Sequence, residues 1–397
     1  MKVAGCLSVA AAVFAGAVCA DQFGAPPDAK HAWAVHDENR PGVKKIAAEV
    51  GKAPSDAKIL FDGTAKSIQE NWCDAKGEAT KWTVDEKGDL ISVAGAGYIF
   101  SKGKYSDFQL HVEWASPAHV QGFGQGRGNS GVFMMGNYEV QVLDSYETDP
   151  DAVGGNKNPN YPDGIAGAVY GQNPPLVNPC RAPGEFNSYD IIFHAPIENE
   201  KGEVTRPATL TLLFNGVVVQ DHWQFDGPTG WRKRATYKRV RADTGLVREA
   251  KMPIAFQDHG NPVHYRNVWI RELPRPEDNQ VHGNYYAKDE KVAELRKTVA
   301  DKLEGEYNAK FGSAKVGLKL LEAWRIVGYQ STPARVARVK DLENQYLAAI
   351  KDCTKRSEAD AFGVETWHLR FYYDELVTAG LTTTENEVYK KLSSLKD

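Results

Sequence analysis

Cysteine is scarce in this chain. Five occur in 397 residues, and the first two, Cys6 and Cys19, fall in an apolar leader. Cys73, Cys180 and Cys353 remain, an odd number at wide spacing, which excludes a disulfide framework and a cysteine-based zinc motif. One bridge is still compatible with such a set, and Cys73–Cys180 is the pairing expected, since both lie in the first domain. Charge of one sign is lacking too. The formal net charge is −4 and no block of like charge forms a tail, which gives no footing for a nucleic-acid partner. Beyond the N-terminus no run is apolar enough to span a bilayer. The glycine-rich stretch Gly122–Gly128 (GFGQGRG) lacks the Lys-Ser/Thr pair and the following helix of a phosphate loop.

The chain is 42% hydrophobic and 25% charged, ordinary for a globular protein with length for two domains. Lys2 precedes an Ala-rich apolar run from Val3 to Val18, and Val18-Cys19-Ala20 fits a small-residue cleavage site. Residues 1–20 therefore read as a signal peptide cleaved after Ala20, and the mature protein as exported, periplasmic or secreted. Residues 21–55 are polar and broken by prolines, an extended arm expected to lie on the main domain.

From residue 56 to 273 the grammar is that of strands and turns. Phe108–Trp114 (FQLHVEW) alternates without a break, with Gln109, His111 and Glu113 on its polar face. Asn215-Gly216 is a hairpin turn. Many strands and almost no helical periodicity predict a mainly β fold, an antiparallel jelly-roll sandwich with one solvated concave sheet. Residues 274–284 are a Pro- and charge-rich linker, and 285–397 show apolar residues at helical spacing, a small helical bundle.

The chemistry concentrates in Arg127–Ser145, two strands about a turn expected at Gly136-Asn137. Tyr138, Val140 and Val142 alternate with Glu139 and Gln141, so the two polar residues share a face. Asp144 has the wrong parity, and a bulge near Leu143 would bring it to the same surface. The spacing E-x-Q-x-x-D is similar to the E-x-D-x-x-E strand of family 16 glycoside hydrolases, with an amide where a carboxylate stands. Read on its own, the same pattern also describes an ordinary solvated strand face. Gln257-Asp258-His259-Gly260 follows an apolar strand, which puts His259 at a strand end, as His194 is. Tyr161 and Tyr170, in a long Gly/Pro/Asn-rich loop from Thr148 to Glu185, are candidates for stacking on a sugar.

Several stretches in order resemble the 3-keto-disaccharide hydrolase family: LFDG at Leu60–Gly63, Gly124–Glu147, Asp163–Asn178, Tyr189–Pro196, Asn215–Val219 and Gln257–Leu273. The resemblance runs from about Pro54 to Pro274 and leaves out the helical region. It implies a concanavalin A-like jelly roll and cleavage of glycosides oxidised at C3 of glucose. It also carries functional roles onto Glu113, Glu139, Gln141, Asp144 and His259. A C3 ketone acidifies the C2 proton; its removal gives an enolate that expels the C1 leaving group, and water can add back. That route needs one base, one acid and donors to the enolate oxygen, and no carboxylate nucleophile. The expected assignment makes Glu139 or His259 the base and Asp144 the acid. Glu113, Asn129, Gln141, Tyr170, Gln257 and His194 would contact substrate. The residues identify no cofactor, and a divalent metal ion at the enolate oxygen is compatible with the route; its ligands are unassigned. The expected partner is an oligosaccharide or glycoside. Oligomeric state is open. The alternatives are a non-catalytic carbohydrate-binding jelly roll and a family-16-like retaining glycosidase.

Overall fold

The computed structural model describes residues 24–29, 31–146, 160–238, 244, 246, 249–274 and 290–397. The expected signal peptide, and all of the expected linker except Pro274, lie outside the described residues. No described helix is long and apolar enough to cross a membrane. The chain divides into two compact units, residues 44–275 and residues 1–43 with 276–397.

Fifteen described strands build the first unit: β1 (Lys58–Phe61), β2 (Trp72–Cys73), β3 (Thr83–Val84), β4 (Leu90–Ile91), β5 (Ile99–Tyr105), β6 (Phe108–Ala115), β7 (Ser130–Met134), β8 (Tyr138–Val142), β9 (Asn187–His194), β10 (Ile197–Glu198), β11 (Val204–Arg206), β12 (Thr209–Phe214), β13 (Val217–Gln224), β14 (Met252–Phe256) and β15 (His264–Glu272). An eight-stranded sheet has the order β13-β12-β9-β6-β15-β4-β3, with β1 on β15, and a five-stranded sheet the order β2-β5-β14-β7-β8. All pairings are antiparallel; β10 and β11 form a separate ribbon. This is the sandwich that the alternation predicts. Its core is made of every second side chain from both sheets: Leu110, Val112, Trp114 and Phe193 from one, Val132, Tyr138, Val140 and Phe256 from the other. Aromatic pairs bridge the sheets, Phe256 on Tyr265 at 4.5 Å and Tyr138 on Phe193 at 5.4 Å. At about 25 cal/mol per Å² of apolar surface, such fully buried aromatics dominate the driving force.

The β7–β8 turn lies one residue earlier than expected. Met135 (φ 52°) and Gly136 (φ 56°) are its centre, and the Asn137 N–H donates to the Met134 carbonyl at 3.1 Å. Burial of the Met135 side chain, 1% exposed, offsets the left-handed backbone that a methionine disfavours. Asn215-Gly216 makes the expected turn, with φ 50° and 79°. One short helix, α1 (Ala65–Asn71), escaped the periodicity because only Ile68 anchors its apolar side; Thr64 caps it by accepting from the Ser67 N–H at 3.1 Å.

The other unit holds α2 (Glu290–Phe311), α3 (Val316–Tyr329), α4 (Pro333–Ala349), α5 (Arg356–Ala359), α6 (Thr366–Thr378) and α7 (Glu387–Ser394). Helices α5 and α6 are separate because Gly363 (φ 112°) stops the chain between them and Asp360 accepts from the Thr366 N–H to start the second. Asn386 caps the last helix, accepting from the Val388 and Tyr389 N–H groups.

The expectation of one arm over 21–55 lying on the β domain is corrected. Residues 24–43 group with the helices: Trp33 sits edge-on to Tyr329 at 6.4 Å, and buried Asp37 bonds to Tyr329 and Arg325. Residues from 44 onward group with the sandwich. The expected Cys73–Cys180 bridge does not form. All three described cysteines are free, Cys73 Sγ donating to the Phe100 carbonyl and Cys180 Sγ to the Arg181 carbonyl.

Candidate active site

The outer face of the five-stranded sheet collects the polar residues of the central hairpin. β7 and β8 pair without a shift from Ser130↔Val142 to Met134↔Tyr138, so Gly131, Phe133, Glu139 and Gln141 all point away from the core. The absent side chain at Gly131 matters. A Cβ there would overlap the Glu139 carboxylate, which lies across this residue and is 5% exposed. Gln257 closes the neighbouring side: its N–H donates to the Gly131 carbonyl at 3.1 Å, and its Nε2 to Tyr98 Oη at 2.6 Å. Tyr265 Oη donates to Ser130 Oγ, which donates to the Gln257 carbonyl, each at 2.6 Å. His259, two residues further on, is exposed, and its carbonyl accepts from Asn261.

On the other side of Glu139 the long loop folds back along β8. Gln141 exchanges backbone hydrogen bonds with Ala168 and Gly167 at 3.0 Å, and the Tyr170 N–H donates to the Glu139 carbonyl at 3.3 Å. This sets the Tyr161 and Tyr170 hydroxyls 3.0 Å apart. Burial, then the Tyr161 hydrogen bond and the nearby Glu139 charge, push the Tyr170 phenol well up, so it stays protonated.

Gln125 joins the amides. Its Oε1 accepts from Gln141 Nε2 at 2.9 Å and from Asn129 Nδ2 at 3.1 Å, while its Nε2 donates to the Gly164 carbonyl at 2.8 Å. Gln141 Oε1 and Asn129 Oδ1 are buried and have no donor among the described residues. Beside this group lies a cavity of about 590 Å³, lined by Gln125, Tyr161, Asp163, Tyr170 and the stretch 230–234.

Asp144 does not share the Glu139 surface. No bulge forms near Leu143; the strand ends at Val142, and the Asp144 N–H turns to the Arg127 carbonyl. Its carboxylate accepts from Arg127 Nε at 2.6 Å, both side chains being buried. Asp144 and Arg127 line a second hollow, of about 350 Å³, with Gly128 and Asn261. Gln125 and Arg127, in the same glycine-rich stretch, thus face different hollows.

Two expected site residues belong elsewhere. Glu113 sits on β6, in the opposite sheet, pointing out from its far side, so it and Glu139 lie on opposite faces of the sandwich. There it accepts from Arg266 Nε at 2.6 Å and Asn267 Nδ2 at 2.8 Å, beside His111, which bonds Asp190 at 2.7 Å. His194, at the end of β9 in that same sheet, pairs with Asp107 at 3.0 Å. The Glu113 cluster titrates. Burial alone would push His111 down, but Asp190 and Glu113 outweigh it and hold His111 up at about 9, from 6.5. The His111 hydrogen bond, against burial and with Asn267 and Arg266, holds Glu113 down at about 2, from 4.5. The raised group adds stability that is complete below pH 6.5 and lost as pH rises through 9; the lowered one adds stability above pH 4.5, lost as pH falls through 2. Urea melts should therefore show stability falling by about 1–3 kcal/mol from pH 6.5 to 9, and His111→Gln should flatten that slope. An unchanged slope in the variant overturns the assignment.

The described residues contain one group with metal-ligand geometry, Asp85, Asp89 and His264, whose ligand atoms lie within 4.8 Å of one another. Asp89 and His264 line a larger cavity of about 900 Å³, away from Glu139. His264 Nδ1 is already 3.3 Å from Asp89.

Comparison with known proteins follows the β domain. The model of the 3-keto-alpha-glucoside-1,2-lyase-like domain matches residues 56–271. A Parabacteroides distasonis structure described as a "putative glycosyl hydrolase" is 39% identical, with 60% of this chain and 94% of that chain covered and a TM-score of 0.51. A second structure from that organism, described in the same words, is 19% identical, with 55% and 94% covered and a TM-score of 0.38. No curated protein matches the chain. The matched residues make up more than half of the 397 and contain the whole Glu139 surface, so this chain belongs to the 3-keto-alpha-glucoside-1,2-lyase-like domain family, a carbohydrate-active group.

Proposed function

We propose that the β domain cleaves the glycosidic bond of 3-keto-glucosides by removing the C2 proton and eliminating the C1 substituent, with or without later addition of water. One observation carries this reading: the surface presents a single buried strand carboxylate, Glu139, whose same-face neighbour Gln141 is an amide tied to Gln125. A retaining glycosidase needs two carboxyl groups about 5–5.5 Å apart, and β8 places an amide at the position such a pair would use. Elimination needs one base and neutral hydrogen-bonding groups around the enolate.

Glu139 is the base in this scheme. The Tyr161 and Tyr170 hydroxyls, 3.0 Å apart, donate to the departing oxygen. Gln141 Oε1 and Asn129 Oδ1 accept from sugar hydroxyls, and Gln257 orients the ring. His259, on the exposed loop, is a weaker fit for the base than Glu139. Asp144 holds Arg127 and the glycine-rich stretch in place rather than acting as the acid. A divalent ion would find no three-ligand group beside Glu139 among the described residues, and no step is assigned to one. The leader at residues 1–20 supports action outside the cytoplasm.

The test uses the mature protein recovered from outside the cytoplasm, with Asp21 as its first residue. It should release the aglycone from 3-keto-glucosides and leave the unoxidised parents intact, with chelator present or not. Turnover of the parent glucoside, or binding of the 3-keto form with no turnover, overturns the proposal.

A further inference from the structure

Resting on that reading, we infer that the site takes glucosides whose leaving group is anionic. The wall of the 590 Å³ cavity facing Tyr161 and Tyr170 is the stretch Trp231-Arg232-Lys233-Arg234, one aromatic and three cations against the single carboxylate of Asp163. Trp231 remains 61% exposed, and the Arg232 guanidinium lies 4.6 Å from the centre of its ring. An aromatic face backed by a guanidinium fits a ring that carries a carboxylate or a similar anion. Arg232, which lines the cavity and packs on the Trp231 ring, is the cation assigned to the anion.

The wall is held, not draped. Thr229, two residues before Trp231, is bound to the catalytic strand: its N–H donates to the Asn137 carbonyl at 3.0 Å and its Oγ1 accepts from the Glu139 N–H at 3.1 Å. Gln172, from the tyrosine-bearing loop, accepts from the Asp226 N–H and donates to the Gly227 carbonyl, both at 3.1 Å. Further along, Tyr237 Oη accepts from the Ala208 N–H at 2.7 Å. Arg232 itself adopts φ 55°, a backbone state that a non-glycine residue disfavours and that is retained where surrounding structure imposes it. The loop thus sets its cation at the cavity wall at a conformational cost.

The experiment compares 4-carboxyphenyl and 4-carbamoylphenyl α-glucosides, which differ in charge and little in shape. Direct binding of the unoxidised pair by calorimetry is measured first, then turnover of the 3-keto pair. The carboxylate should bind at least about tenfold more tightly at low salt and lose most of that margin at 0.5 M salt. Arg232→Gln should abolish the margin and Arg232→Lys should restore part of it. Equal binding of the pair by the unmodified protein, or a margin that survives Arg232→Gln, overturns the anionic subsite. Charge discrimination in binding without turnover of either 3-keto compound would instead overturn the elimination chemistry and leave the subsite standing.

Discussion

Glu139→Gln lowers kcat on a 3-keto-glucoside by about 10²- to 10⁴-fold, the usual contribution of a positioned general base, while KM and stability change little. The substitution is isosteric, and the space over Gly131 that the carboxylate occupies accepts an amide as well. What is lost is the ability to take the C2 proton. Deuterium at C2 should slow the unmodified enzyme when proton transfer limits the rate, and the product should have lost that deuterium, with solvent hydrogen in its place only where water has added back. The retaining alternative predicts a glycosyl-enzyme on Glu139 and full retention of C2 deuterium. Mass spectrometry of the quenched enzyme decides between them: a covalent adduct on Glu139 ends the elimination account, and so does a Glu139→Gln variant with near-normal turnover.

Removing either member of the Arg127–Asp144 pair should cost about 3–5 kcal/mol of stability, because the partner stays buried and loses its short charge-assisted contact. The side chains are 6% and 2% exposed and the contact is 2.6 Å. Replacing both, as Arg127→Met with Asp144→Leu, should recover most of the loss, since the desolvation cost of the two charges disappears with them. Urea titration of the two single variants and the double variant measures this directly. The double variant also separates two roles for Asp144. If the residue only holds the glycine-rich stretch, the refilled variant turns over substrates with good and poor leaving groups in the unmodified protein's proportion. If Asp144 is the acid, the poor leaving groups fail selectively. Single variants that lose no stability would show that the pair is not desolvated as described.

Local periodicity made much of this protein legible. The alternation in Phe108–Trp114 and Tyr138–Val142 is a property of the pleat, so which residues turn from the core could be read residue by residue. The change from period two to helical spacing after residue 273 set a helical region apart from the strands, with helices described from Glu290 on, and the Asn215-Gly216 turn announced itself through residues that tolerate positive φ. The same local information put Glu139 and Gln141 on one face. It could say that Glu113 faces away from a core, but not which sheet it belongs to, because the two halves of a sandwich show identical alternation. Strand order is set by pairings between distant segments, and it sends Glu113 to Arg266 and Asn267 on the opposite face. Asp144 and Gln125 were decided in the same way. The first is claimed by Arg127, 17 residues earlier, and the second becomes the centre of an amide cluster only when the segment around Gly164 closes over β8. Trp231–Arg234 carries no local mark of a site; it becomes a cavity wall because Thr229 binds β8, some 90 residues away. Period and turn chemistry act over a few residues and are written in the chain, whereas the partner of a charge is chosen by which distant strands come to lie side by side.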